Sequence, residues 1–508
     1  MTAVTSLGED RATHARGPDR LLLLGTGVAG VIVMASWLFV AVAGLTTRDS
    51  THVPGTWMAL AAYVDRGIVY PPLIDGGYYG GTRYMPLFFS IHAGFARFTG
   101  EFVASGHLLV LLCTVALLGL MVLAMRRQAC PMPLALGLAS TALLTATGML
   151  VTTTIRGDIL STALQLAAIQ LVPSDMVDRR RATGAAALCV LALFSKTSAI
   201  WAPAAISAWL LLGGRWRPLA WFATAYVVLA TLGLVALQYV SDGRFLVNIV
   251  SLTLLDSDSQ RAGTAALGTT LGFIRQYAPA TWALMGPALA SLWFIGRGRV
   301  PDLAALAFVA AGGITAVVLS DPGTGHNHLL DLVVITPLLV GTLWRRLQSS
   351  EWNGGQALSS LLAVMVFWIV VSTFLLDMRP AVIEAARSRV QRNDPAISRV
   401  REILPPGGVV LSEDPAVPVM LGELPVVLDP WTLLRIGRRG SSVIEHLAMR
   451  IEAHEFDAIV LLQAPEDTEA TYWYEYQHFG PVVVDAIQRN YDRTEDAAGL
   501  KVYLPRRH

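Results

Sequence analysis

Apolar runs of about twenty residues recur through the first three quarters of this 508-residue chain, with clusters of arginine standing between them. A run of that length is what a helix needs to cross a hydrocarbon core of about 30 Å. Only 15% of the residues are charged, against roughly 25% in a soluble protein. The sequence therefore predicts a polytopic α-helical membrane protein. Its basic clusters are Arg11, Arg16 and Arg20; Arg126 and Arg127; Arg179, Arg180 and Arg181; Arg215 and Arg217; Arg297 and Arg299; and Arg345 and Arg346. Lys and Arg are enriched in cytoplasmic loops, which assigns all six clusters to the inner face.

That rule fixes a path for the chain. Residues 1–20 form an inner tail, and the run from 21 is too long for a signal segment and lacks a clear cleavage site. Spans are expected at 21–45, 102–125, 133–151, 159–172, 185–195, 199–212, 218–240, 280–295, 303–319, 329–344 and 361–376, about eleven in all. Segment 86–98, PLFFSIHAGFARF, is short and carries His92 and Arg97. Counting it as a span would invert everything after it, so it is placed as an amphipathic helix in the outer interface, with a twelve-span path left open. The membrane domain then covers 21–377. From 378 to 508 the composition is that of a small soluble α/β domain on the outer face, with strands expected at 409–411, 426–428 and 457–462 and a helix at 442–455. Cys113, Cys130 and Cys189 lie in or beside apolar runs without metal spacing and read as small buried residues. A net charge of +1 suggests no nucleic-acid footprint.

The same path collects polar groups on the outer face. Ionisable residues at membrane depth are costly, so they mark function or a paired site. The outer loop 46–86 begins TTRDSTH, where Asp49 suits a general base taking a proton from a hydroxyl; the plainer alternative is a loop acid paired with Arg48. Asp65 and Asp75 are weaker candidates, and Asp65 sits in a helix-like stretch where a structural role fits. In GGYYGGTRY, aromatic faces suit a sugar ring, with Tyr84 among them, and Arg83 suits a phosphate. Lys196 interrupts ALFSKTSAIW, where it suits a lipid-linked phosphate or a snorkelling turn lysine. Arg156 and Asp158, in TTTIRGDIL, suit substrate binding or a mutual ion pair. His326, Asn327, His328 and Asp331, in GTGHNHLLDL, form the densest patch, suited to hydrogen bonding a substrate or capping a helix. Asp331 falls one turn inside its span and should face protein. Asp256 and Asp258 make a DxD, a weak signal for a divalent cation.

Taken together these features resemble the GT-C superfamily of membrane glycosyltransferases, more narrowly the bacterial branch related to the ArnT, PMT and RgtA/B/C/D-like enzymes. The stretches that carry the resemblance are the acid after the first span (Asp49), RYMPLFFSIHAGFARFTG, RGDILSTALQLAAI, FSKTSAIWAPAAI, HNHLLDL and LSEDPAVPVMLGELPVVLDP. The resemblance implies an enzyme of the bacterial plasma membrane that uses a polyprenyl-phosphate-sugar donor and a glycan, lipid or protein acceptor. It carries the role of base or metal-associated residue to Asp49 and that of the lysine reaching the lipid phosphate to Lys196. Many members have two adjacent acids at the first-loop site. Here the neighbours are Arg48 and Ser50, which leaves a divalent metal open and keeps an inactive GT-C-like scaffold as an alternative. A transporter or flippase is the other alternative; it would place polar sites near the midplane, often between inverted repeats, and no repeat is evident.

Overall fold

The computed structural model describes residues 17–49, 51–172, 177–254, 263–295, 302–321, 324–350, 354–388, 395–405, 407–497 and 499–506. Among the described residues, five helices are long and apolar enough to cross a membrane: Asp19–Ala43, Phe102–Arg127, Trp216–Val240, His326–Ser349 and Gly355–Arg387. Shorter apolar helices, Asp158–Leu171, Trp201–Leu212 and Leu303–Val318, fill in between them. The Trp216–Val240 helix leaves Val227, Leu232, Val235 and Tyr239 exposed, as a lipid-facing helix would. The His326–Ser349 helix is instead buried nearly all round.

The expected span at 133–151 is two short helices, Met132–Ser140 and Ala146–Thr153. Thr145 is extended, and its side chain accepts the Gly148 amide, so it caps a second helix where the apolar run alone read as continuous. Met132–Ser140 packs closely on the first helix, because Gly30 has no side chain: a Cβ there would lie 2.8 Å from the Leu136 carbonyl carbon. Small residues allow such backbone approach between membrane helices.

Side-chain bonds identify which helix ends lie together. Ser360 donates to Asp19, Gln348 to Ser359, Thr342 to Gln128, and Arg127 to the Gln170 carbonyl. These contacts gather Arg126, Arg127, Arg345 and Arg346 at one end of the bundle. Asp158 begins the helix whose other end is Leu171, so it stands at the opposite end. Arg11, Arg16, Arg297 and Arg299 lie outside the described residues.

Segment 86–98 forms a helix, Pro86–Thr99, started by proline and ended by Gly100 in the left-handed region. Fourteen residues span about 21 Å, short of the hydrocarbon core. It buries Phe88, Phe89, His92 and Ala93 against the His52–Asp65 and Phe102–Arg127 helices. Arg97 on its outer side pairs with Asp65 at 2.7 Å, so Asp65 does have a structural partner.

The first loop holds a small antiparallel pair, β1 (Ile74–Asp75) and β2 (Tyr78–Tyr79). A four-stranded sheet follows the bundle: β3 (Val410–Ser412), β4 (Ala458–Leu461), β5 (Tyr491–Ala497) and β6 (Leu500–Pro505), in the order β3–β4–β6–β5. Strands β3 and β4 run parallel, joined by a crossover through the Pro430–Arg438 and Val443–Glu452 helices, and β4, β6 and β5 are antiparallel. Leu411, Ile459 and Leu461 from the sheet and Val443, Leu447 and Ile451 from the crossover form its core. Strands were expected at 409–411 and 457–462, and both exist nearly in register. The third, at 426–428, is not part of this sheet. Val427 makes a parallel bridge to Tyr79 of the first loop instead. The hydrophobic pattern marked a buried extended segment correctly but carried no information about its partner.

Candidate functional site

Thr47 folds back on Gly44 through its hydroxyl, ending the first helix and delivering Arg48 and Asp49 to the site. The Asp49 carboxylate accepts the Ile155 backbone N–H at 3.3 Å and lies 3.9 Å from His107 Nε2. His107 donates that same nitrogen's hydrogen to the Thr47 carbonyl at 3.2 Å. Burial raises the Asp49 carboxyl above its ordinary range, opposed by His107, the Ile155 amide, Arg156 and Arg48. Beside it is a cavity of about 10 Å³ whose walls include Gly55, Met58, His107 and Ala416, room for about one water.

The turn that supplies Ile155 also carries Arg156 and Asp158. Arg156 is buried, and its Nε donates to Thr154 Oγ1 at 3.0 Å. Its charge reaches Asp49, His52 and Tyr84 on one side and Asp158, His326 and His328 on the other. Asp158 opens its helix, where the dipole favours negative charge. One carboxylate oxygen accepts both Lys196 Nζ at 2.6 Å and Asn327 Nδ2 at 2.9 Å. Lys196 is the residue on which the Arg179–Ser195 helix ends. Three sequence-distant helix ends thus meet at one carboxylate, and Asp158 takes Lys196 as its ion-pair partner rather than Arg156.

The segment His326–Leu329 is a 3₁₀ turn, which sends successive side chains in different directions. His326 stacks flat on Tyr277, with centroids 4.3 Å apart, and meets Thr147 Oγ1 at 3.1 Å. Asn327 turns to Asp158, and the charges of Lys196, Asp158, Arg83 and Arg156 all reach His328. Asp331 faces protein as expected, accepting Thr162 Oγ1 at 2.7 Å. Tyr84 has one ring face on Trp57, at 4.3 Å. Arg83 lies 3.9 Å from Asp321 with its side chain 41% exposed. Among the described residues no three His, Cys, Asp or Glu side chains form a metal-binding group, and Asp256 and Asp258 lie outside the described residues. The sequence candidates Asp49, Arg156, Asp158, Lys196, Asn327 and His328 are therefore contiguous, with Arg83, Tyr84, His326 and Asp331 around them. A separate groove of about 490 Å³ runs between Leu73 and Ile74 of the first loop and Arg244, Val247 and Asn248.

Sequence reasoning missed His107, although a histidine one turn into an apolar helix was a signal to follow. It also missed the C-terminal segment that covers Asp49. Arg48 pairs with Asp414 at 2.6 Å, Thr56 donates to the Leu428 carbonyl at 2.9 Å, and Tyr63 to the Pro425 carbonyl at 3.1 Å. Asp414 is pushed up to about 6 by burial, against the pull of Arg48. Next to it, Glu413 is fully buried and accepts from His478, Trp473, Tyr474 and the Leu462 amide. Burial would raise its carboxyl, but these donors, His478 first, hold it below its usual range. His478 meets His52 edge-on, with ring centroids 4.4 Å apart. Burial, then His478, push His52 down.

Solved structures share this fold. ArnT from Cupriavidus metallidurans bound to undecaprenyl phosphate aligns with a TM-score of 0.60 and 12% identity, over 94% of this chain and 97% of that one. The same protein in its apo state gives 0.57 and 13% over the same shares. The oligosaccharyltransferase of Archaeoglobus fulgidus gives 0.52 and 10%, over 94% of this chain and 74% of that one. No family model matches the chain, and no curated protein matches it in sequence. The chain shares the fold of ArnT, one of the proteins its sequence resembles.

Proposed function

We propose that the chain is a GT-C-type glycosyltransferase that moves a sugar from a polyprenyl-phosphate-linked donor to a glycan, lipid or protein acceptor at the outer face of a bacterial plasma membrane. The observation that carries the reading is the contiguous layer of Asp49, Arg156, Asp158, Lys196 and Asn327. It stands at one end of a bundle whose fold is shared with a protein solved with undecaprenyl phosphate. A polyprenyl donor keeps its lipid in the bilayer and its phosphate at the surface, so cations at helix ends suit the phosphate.

In this reading Asp49 takes the proton of the acceptor hydroxyl. The hydroxyl oxygen bonds to the anomeric carbon, the bond from that carbon to the phosphate oxygen breaks, and the electron pair leaves on the phosphate. Arg156 and Lys196 stabilise that growing charge, an effect strongest in a dry site. Direct displacement inverts the anomeric carbon. Lys196 reaches phosphate by exchanging its Asp158 partner for it, and Asn327 keeps Asp158 bonded meanwhile. The C-terminal segment, residues 378–508, stands outside and closes the acceptor side. The ionisable groups gather at helix ends on one side of the bundle, which favours transfer over the transport alternative.

The test is transfer from a polyprenyl-phosphate sugar to membrane acceptors by the purified protein in liposomes. Wild-type activity lost in Asp49→Asn, with the protein still folded, supports the reading. Undiminished transfer by Asp49→Asn removes Asp49 as base, and no transfer by the wild type with any polyprenyl donor removes the enzyme reading.

A further inference from the structure

Arg48 and Asp49 are neighbours in sequence, and a guanidinium close to a carboxylate holds that carboxylate ionised and low in pKa. An acid held so is a weak base. The fold directs the arginine elsewhere. Arg48 Nη1 lies 2.6 Å from Asp414 Oδ2, a residue 366 positions away, and the two side chains are only 9% and 1% exposed. Arg48 Nη1 also donates to the Asp49 backbone carbonyl, at 3.1 Å.

Asp414 is built to receive it. Its other carboxylate oxygen accepts the Ala416 amide at 3.0 Å, and its own N–H donates to Ser412 Oγ at 3.1 Å. Gly55, in the helix that follows Asp49, leaves the space for this: a methyl at that position would overlap the Asp414 carboxylate and the Ala416 amide. The charged and titratable groups that face Asp49 are then His107 from the Phe102–Arg127 helix, Arg156 from the 154–158 turn, Arg48 beside it, and Asp414 from the C-terminal segment.

We infer that Asp414 is a positioning residue for the transfer reaction: by holding the Arg48 guanidinium it leaves the Asp49 carboxylate available to accept a proton. The inference rests on the reading of Asp49 as base. If the Asp414 charge is removed, the buried Arg48 charge loses its Asp414 counter-ion, which is strongly unfavourable. The carboxylate next to it in the chain is Asp49. Arg48 then pairs there, and the base is lost to an ion pair.

The experiment uses the full chain in nanodiscs as wild type, Asp414→Asn, and the double variant Arg48→Met/Asp414→Asn. The titration of Asp49 is followed by its protonated carbonyl band in infrared spectra, assigned by its absence in Asp49→Asn, and the pH–rate profile of sugar transfer is measured alongside. In Asp414→Asn the Asp49 midpoint should fall by about one unit, a tenfold change in its proton affinity. The acid limb of the rate profile should move the same way, with a lower plateau. The double variant lacks both charges and should return the midpoint and the limb to wild-type positions. A contact that merely braces the domain would be lost in both variants, and neither would recover. An unchanged midpoint in Asp414→Asn, or a double variant that keeps the shift, overturns the inference. If the midpoints move as expected while the wild type transfers no sugar, the inference stands as electrostatics and the proposed function falls.

Discussion

Lys196 Nζ lies 2.6 Å from Asp158 Oδ1, and that oxygen also takes the Asn327 amide at 2.9 Å. A lysine in this position is not idle. It has a partner that holds it in reach of the polar layer and that a phosphate would have to replace. A carboxylate and a phosphate oxygen compete for one ammonium, so donor binding should reorganise this pair.

Lys196→Ala should raise the KM for the lipid-linked donor several-fold while moving the KM for the acceptor little. Steady-state kinetics with each substrate varied in turn reads this out. Equal effects on both substrates would assign Lys196 to holding helix ends together.

Asp49→Asn should lower transfer by about 10²–10⁴-fold, the usual contribution of a positioned acid–base group. Its effect on stability should run the other way. Burial raises the Asp49 carboxyl from 3.8, so the folded protein keeps its proton to higher pH than the unfolded chain. The resulting stabilisation is complete below the unfolded value and is lost as pH rises through the folded one. At neutral pH the buried charge therefore costs stability, and the uncharged amide removes that cost. The melting temperature of Asp49→Asn at pH 7 should equal or exceed that of the wild type, and a lower one would identify a structural acid.

Asp414 follows the same sign across a defined pH window. Its carboxyl moves from 3.8 to about 6 on folding, so its contribution to stability is full below 3.8 and fades as pH rises through about 6. Asp414→Asn should flatten the pH dependence of the melting temperature across that window. An unaltered slope would mean that Asp414 titrates as in the unfolded chain.

Glu413→Ala strips a buried acceptor from His478, Trp473, Tyr474 and the Leu462 amide at once. Removing one partner of a buried pair costs about 3–5 kcal/mol. Denaturant unfolding should show a loss of that order, with Trp473 fluorescence shifting as the 468–478 segment loosens. Glu413→Gln, which keeps one acceptor, should lose less.

Gly55→Ala should reverse the usual ranking. In an exposed helix interior alanine is favoured over glycine by about 1 kcal/mol. Here the methyl overlaps Asp414 and Ala416, so the variant should be less stable and its 413–420 segment more open to limited proteolysis. A gain in stability would show that the covering segment yields easily.

Much of the membrane part was legible in the sequence because its signals are strong and local. Lysine and aspartate stand out in apolar runs, and Lys196, Asp158 and Asn327 did come together. The Arg126–Arg127 and Arg345–Arg346 clusters also fell at one end of the bundle. What failed was partner choice. Val427 had the pattern of a strand, yet Tyr79 lies 348 positions earlier and nothing near Val427 points to it. Asp414 and Glu413 sit in LSEDPAV, a stretch where acids are ordinary, so their burial was invisible. Strand β5 has a mostly exposed pattern and no apolar alternation, which hid the hairpin it forms with β6. The break at Thr145 was missed because a threonine inside an apolar run reads as tolerated rather than as a cap.

The bridge between Tyr79 and Val427 also fixes an order of events. During synthesis the first loop leaves the ribosome hundreds of residues before Val427 does, and domains form largely in the order they emerge. For that interval the loop has no Leu428 carbonyl for Thr56, no Pro425 carbonyl for Tyr63 and no Asp414 for Arg48. The bundle can be inserted while this site is still open, and the chain finishes the face around Asp49 last. Premature termination before residue 414 would leave a membrane-inserted protein in which Arg48 and Asp49 are free to neutralise each other.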